Sequence, residues 1–408
     1  MNDDLNGQRL GAGLRDHMGQ SPYSPLDLDD VKSTASRIRR RRTLTGVAVA
    51  AVAAAALIPA AFFTPGGEDT RRPIDPTTQT PTPTMAPTMA PTPRADVTLR
   101  EDAPRGDDPA DWSHPTFTDQ ALTHDSLPDN TDRVARIGER WVLSTRDDGE
   151  GKRTVQLLDA DGDVVQKFAA RSFFAISDNH ELVAWTTDDS TLMLMDSQGK
   201  TRLLAKLPGD GNAIDVTGGA GCIDESVIDD CRVVVSYDSP DGPAVVSGDG
   251  VVTPISQDIT GVRAAFSDFA AGFEKTTTFE APPCMRLIDV TDGETQWRNC
   301  DVYVTSFSPD GRWTTVVDAQ SDGWGPSRVG IADAATGKVY FWLDPSGDNR
   351  ALGTPTWEGS EHLVVDSYDF TAQEWRLYRV SLTGEEEQAA DMVEGDDVAF
   401  PFIAPIEP

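Results

Sequence analysis

The chain has 408 residues, 38% of them hydrophobic, and its 67 acidic against 35 basic side chains give a formal net charge of −32. That charge falls on residues 64–408, which hold 61 acidic and 27 basic side chains, a balance of −34. A surface so acidic repels phosphate backbones and excludes nucleic acid as a partner, while keeping an exported domain soluble.

Residues 1–42 read as a cytoplasmic tail. Ser24 caps a short helix with Pro25 at its first position, after which Leu28, Val31, Ala35 and Ile38 share one face. The expected role is a juxtamembrane helix lying on anionic lipid through its arginines. Residues 43–63 then run 21 residues without a charge, long enough to cross about 30 Å of hydrocarbon as a transmembrane helix. Arg37, Arg39, Arg40, Arg41 and Arg42 stand directly before it, so the N-terminus is expected in the cytoplasm and the remainder outside the plasma membrane. A cleaved signal peptide would export the same residues. Pro59-Ala60-Ala61 is a poor cleavage site, however, and the leader is long for a signal, which favours a retained anchor. Residues 64–110 are rich in Pro and Thr and predict a semi-stiff extracytoplasmic linker.

From residue 111 to 408 the pattern is all-β and periodic. Six short polar turns end in glycine: Asp159-Ala160-Asp161-Gly162, Asp196-Ser197-Gln198-Gly199, Ser247-Gly248-Asp249-Gly250, Asp289-Val290-Thr291-Asp292-Gly293, Asp333-Ala334-Ala335-Thr336-Gly337 and Ser381-Leu382-Thr383-Gly384. Each lies between two β-rich runs, as in a hairpin whose glycine takes a positive φ. The glycines are 37, 51, 43, 44 and 47 residues apart, the period of a four-stranded propeller blade. The predicted fold is therefore a β-propeller of six, at most seven, blades.

A second motif precedes four of the turns. Phe307-Ser308-Pro309-Asp310-Gly311-Arg312-Trp313 resembles the FSPDG signature of WD-repeat-like propellers of the TolB type, and Ile176 to Leu182, Ile137 to Trp141 and Trp357 to Leu363 are degenerate copies. The resemblance spans about residues 115–400, implies a scaffold or interaction role, and supplies no catalytic residues. Arginine outnumbers lysine 28 to 7, and with this architecture the composition resembles that of actinobacteria. Phe117 to Leu122 and Val398 to Ile403 are candidates to close the ring by pairing.

Cys222, Cys231, Cys284 and Cys300 all fall in the exported part. Four cysteines permit three pairings, and the local one, Cys222 with Cys231 and Cys284 with Cys300, keeps each bridge inside a blade. Their spacing does not suit a zinc ribbon. The five histidines form no catalytic set, no nucleophile elbow or phosphate loop is present, and Asp159-Ala160-Asp161-Gly162-Asp163 lacks the glycine and glutamate positions of an EF-hand.

The binding candidates lie in the loops between the second and third strands, which should emerge on one face. They are Asp147 and Asp148, Asp188 and Asp189, Asp238 and Asp241, Asp322, and Asp369, forming an acidic rim, with Trp324 and Arg328 as the strongest contact residues. The favoured function is a non-enzymatic, membrane-tethered binding or scaffold module for a protein, a wall polymer or a small ligand, needing no cofactor. The alternative is a calcium-dependent propeller hydrolase or lactonase with metal held by inward carboxylates. A transmembrane sensor ranks third.

Overall fold

The computed structural model describes residues 92–106, 131–146, 152–159, 162–224, 230–237, 242–276, 283–321, 325–347 and 349–395. All belong to the compact unit Thr80–Pro408. Residues 1–42, expected to be cytoplasmic, residues 43–63, most of the expected linker and both candidate closing strands lie outside the described residues. Among the described residues no helix is long and apolar enough to cross a membrane.

The strands form six sheets in sequence order, antiparallel within each blade, a six-bladed β-propeller. Strand β1 (Val97–Leu99) precedes the blades. Blade 1 holds β2 (Thr131–Ile137), β3 (Arg140–Arg146), β4 (Arg153–Leu158) and β5 (Val164–Ala170); blade 2 holds β6 (Ala175–Ile176), β7 (Leu182–Thr186), β8 (Thr191–Asp196) and β9 (Thr201–Lys206). Blade 3 holds β10 (Gly211–Thr217), β11 (Arg232–Tyr237), β12 (Ala244–Ser247) and β13 (Val252–Pro254). Blade 4 holds β14 (Ile259–Phe266), β15 (Phe269–Glu274), β16 (Met285–Asp289) and β17 (Thr295–Asn299). Blade 5 holds β18 (Val302–Phe307), β19 (Trp313–Asp318), β20 (Val329–Asp333) and β21 (Val339–Pro345). In blade 6 the first and last positions are each split: β22 (Arg350–Leu352) and β23 (Thr356–Glu358) both pair with β24 (His362–Asp369), while β26 (Glu386–Gln388) and β27 (Val393–Glu394) both pair with β25 (Glu374–Ser381). First strands of successive blades touch, β6 with β10, β10 with β14 and β14 with β18, so they form the inner ring.

Alternation along a strand explains how the blades stack. In β7 every residue is buried. Val183 and Trp185 enter the apolar cluster shared with blade 1, and Leu182 and Ala184 enter the one shared with blade 3. Equivalent clusters join blades 3 and 4, 4 and 5, and 5 and 6. Blades 6 and 1 each present an apolar face of their own instead, Val364, Tyr368, Trp375 and Leu377 on one and Val134, Trp141, Leu143 and Leu158 on the other.

All six predicted turn glycines have positive φ, between 66° at Gly337 and 85° at Gly162, and each joins the third strand of a blade to the fourth. The FSPDG segment forms the first hairpin of blade 5. There Ser308 Oγ accepts from the Trp313 N–H at 3.0 Å and donates to Asp310 Oδ1 at 2.7 Å. The degenerate copy in blade 2 repeats this bonding: Ser177 Oγ accepts from the Leu182 N–H at 2.9 Å and donates to Asn179 Oδ1 at 2.7 Å. Positive φ in the first hairpins of the six blades falls on Gly138, His180, Gly218, Ser267, Gly311 and Gly359. Both local cysteine pairs are bonded, Cys222 to Cys231 and Cys284 to Cys300.

The boundary expected at residue 110 moves toward the N-terminus. Residues 94–106 run along the outer edges of blades 5 and 6, with β1 parallel to β21 in the register Val97 to Leu343 and Arg105 bridging to Gln388. Leu99 is fully buried in the cluster of blades 5 and 6, and Arg94 donates to the Leu382 carbonyl at 2.9 Å. An apolar residue at the end of an otherwise polar linker is enough to anchor it, because the outer strand of a blade leaves backbone groups open to pairing.

Candidate binding face

In an antiparallel blade successive turns alternate between the two ends of the sheet. First and third hairpins therefore share one end of the propeller. The loops between second and third strands share the other, with the connections from each fourth strand to the next blade. The acidic candidates belong to this second end.

Of these, Asp147, Asp148, Asp238, Asp241, Asp322 and Trp324 lie outside the described residues. Asp188 is exposed. Asp189 accepts from Thr187 Oγ1, from Lys206 Nζ at 2.9 Å and from Thr191 Oγ1 at 3.1 Å, and these bonds hold its carboxyl well below the usual carboxylate range. Burial pushes the Asp369 carboxyl up, but the Ala372 N–H at 2.9 Å, Arg350 Nη2 at 2.8 Å and the Thr371 N–H at 2.7 Å together outweigh it and keep it lowered. Arg350 also pairs with Glu101 of the N-terminal strap. Arg328 sits 4.2 Å over the Trp342 ring and donates to Asp318 Oδ2 at 3.3 Å. Asp189, Asp369 and Arg328 are thus occupied inside their own blades.

The sequence reasoning missed the charged cluster between blades 1 and 2 at the same end. The first residues of β2, the first residue of β4 and the link from β5 to β6 meet there. Arg153 Nε donates to Asp132 Oδ2 at 2.9 Å, and its guanidinium lies 4.3 Å from the centre of the Phe173 ring. The Arg133 guanidinium lies 4.8 Å from the same ring, and its Nη1 donates to the Phe174 carbonyl at 2.6 Å. Arg133 makes no ion pair among the described residues. Burial, opposed by Asp132 and reinforced by Arg153, pushes its guanidinium down to about 10. The signal was present in Thr131-Asp132-Arg133-Val134-Ala135-Arg136-Ile137: Arg133 shares the parity of Ala135 and Ile137, both in the cluster with blade 2, so a charge is aimed into a seam.

Burial acts most strongly on two carboxyl groups elsewhere. Burial and then the neighbouring Asp178 raise Asp215 to about 7, against the opposing charge of Arg232. Arg232 itself is engaged with Asp268 at 2.5 Å. Burial alone raises Asp366, on β24, to about 7. Among the described residues no group of three or more His, Cys, Asp or Glu side chains converges as a metal site would require. His180 and His362 lie in the first hairpins of blades 2 and 6, and His180 Nδ1 is 3.1 Å from the Arg136 carbonyl.

No protein-family model matches the chain, and no curated protein matches it. Solved structures do. The β-propeller domain of Cps50 (Swd1) from Myceliophteria thermophila is 11% identical with a TM-score of 0.45, over 66% of this chain and 88% of that one. The β-propeller domain of the Trilobed protease from Pyrococcus furiosus is 12% identical with a TM-score of 0.43, over 64% and 84%. Prolyl oligopeptidase B from Galerina marginata is 8% identical with a TM-score of 0.42, over 71% of this chain and 44% of that one. At such identities neither ligand nor reaction carries over.

Proposed function

We propose that the chain is a membrane-tethered extracytoplasmic binding module, in which a rigid six-bladed propeller presents a loop-lined face to a protein, a wall polymer or a small ligand. The observation that carries this reading is the pairing of all four cysteines into two bridges within blades 3 and 4. Bridges of this kind persist in oxidising surroundings, so the pairing supports export of the domain, and residues 43–63 with the preceding arginines supply the tether. The TolB-type resemblance adds the interaction role. A disulfide-stapled scaffold whose face is made of unlike loops suits recognition, since rigid frames carrying variable loops lose little freedom on binding.

The test is protease protection. In intact cells expressing a C-terminally tagged chain, added protease should remove the tag, and a membrane-impermeant maleimide should label the cysteines only after reduction. A tag protected until the cells are lysed would overturn the reading.

A further inference from the structure

The cluster of Arg133, Arg153, Asp132 and Phe173 has two positive charges and one negative. Asp132 is taken by Arg153, and Phe173 lies under both guanidiniums. Arg133 is left half-buried with one of its nitrogens bonded to a carbonyl and no carboxylate partner among the described residues, in a chain with almost twice as many acidic as basic side chains. Elsewhere Arg350, Arg376 and Arg379, all more than four-fifths buried, each pair with a carboxylate, whereas the partly buried Arg202 meets two backbone carbonyls, one through each terminal nitrogen. A guanidinium partly withdrawn from water gains from pairing, and its planar fork matches a carboxylate.

From this we infer that the seam between blades 1 and 2, at Arg133, is a subsite for one carboxylate group of a ligand. Charge selects the class. The local excess is a single positive charge set in a strongly negative field, which accepts a monoanion and disfavours a phosphate or sulfate dianion. The inference rests on the binding reading and names the ligand chemistry for it.

The experiment uses the full chain in detergent and follows thermal unfolding in sodium acetate, chloride and sulfate at matched ionic strength, for the wild type, Arg133→Gln and Arg146→Gln. Arg146 is an exposed arginine at the end of β3 and serves as the control for loss of one charge. Comparing each variant with the wild type in the same salt cancels general salt effects. Saturating acetate should raise the wild-type and Arg146→Gln midpoints by about 2 °C or more over chloride, with little such rise in Arg133→Gln. Should that variant fail to fold, Arg133→Lys keeps the charge without the fork and should lose most of the acetate effect. A trialanine peptide with a free carboxyl terminus, against its amide, distinguishes a protein-borne carboxylate from a free acid; a response to either supports the subsite. An acetate effect equal in wild type and Arg133→Gln, or absent from the wild type, overturns it. The two readings fail separately, because the acetate effect does not depend on which side of the membrane the domain occupies.

Discussion

Asp366→Asn should stabilise the propeller at pH 8 while leaving it nearly unchanged at pH 4. Asp366 lies on β24 with its side chain against Gly353, where an added Cβ would stand 1.9 Å from its Oδ1, so the carboxyl fills space that only a glycine leaves open. Burial raises the group from 3.8 to about 7. The folded state therefore holds a proton that the unfolded chain releases between about pH 4 and 7. Stability falls as pH rises through that window, and the full cost is present above pH 7. A difference of about 3 units at 1.36 kcal/mol per unit sets the cost at up to about 4 kcal/mol. Asparagine has nearly the same shape and no charge to desolvate, so it should recover much of that at pH 8. Urea unfolding of residues 80–408, with both disulfides intact, would measure the difference at pH 4, 6 and 8 through midpoints at constant slope. Asp215 carries a similar shift, so the variant should keep part of the wild-type pH dependence. A variant no more stable than wild type at pH 8 would mean that Asp366 ionises at little cost in the folded protein, and the reasoning from burial would fail.

Replacing Cys284 and Cys300 by serine should cost about 3 kcal/mol in urea unfolding, the chain-entropy value for the 16-residue separation they close. Gly337→Ala should cost about 1–2 kcal/mol or more, because its φ of 66° is left-handed and a Cβ there would stand 2.7 Å from the Trp297 ring. Leu99→Ala should cost about 2–5 kcal/mol, since the side chain is fully buried between blades 5 and 6, and a domain begun at residue 107 should show a similar loss of melting temperature. An unchanged midpoint in either would mean that the N-terminal strap is not part of the folded unit.

What could be read in advance was whatever the repeat imposes. The six turn glycines and the local cysteine pairs were legible because each is fixed by chemistry within about twenty residues: a hairpin needs a positive φ, and a bridge needs neighbouring strands. Ser177 and Ser308 show the same legibility, since one hydroxyl caps the hairpin in both blades although only one segment keeps the FSPDG letters. The face was harder. The ion pairs at Asp189 and Asp369 could not be read from the sequence, because their partners, Lys206 and Arg350, come from other strands of the same blade. Arg133 went unnoticed for a similar reason. Its importance lies in what does not pair with it, and that depends on strands and links brought together from residues 131 to 174.

The two ends of the propeller follow different rules. At one end, all six first hairpins carry a positive φ and six third hairpins carry a glycine with positive φ, so backbone demands decide the sequence. At the other, the loops between second and third strands run from the four residues 187–190 to the ten residues 319–328, without a common motif. Substitutions at the first end are felt as stability, and those at the second are free to be felt as recognition. Arg133 belongs to the second end but sits in a strand, where packing of blade 2 against blade 1 fixes its position to a degree that a loop does not. A charge held there without a carboxylate of its own, beside loops that are free to vary, is the arrangement expected of an anchor: the strand residue fixes one group of the ligand, and the loops decide what surrounds it.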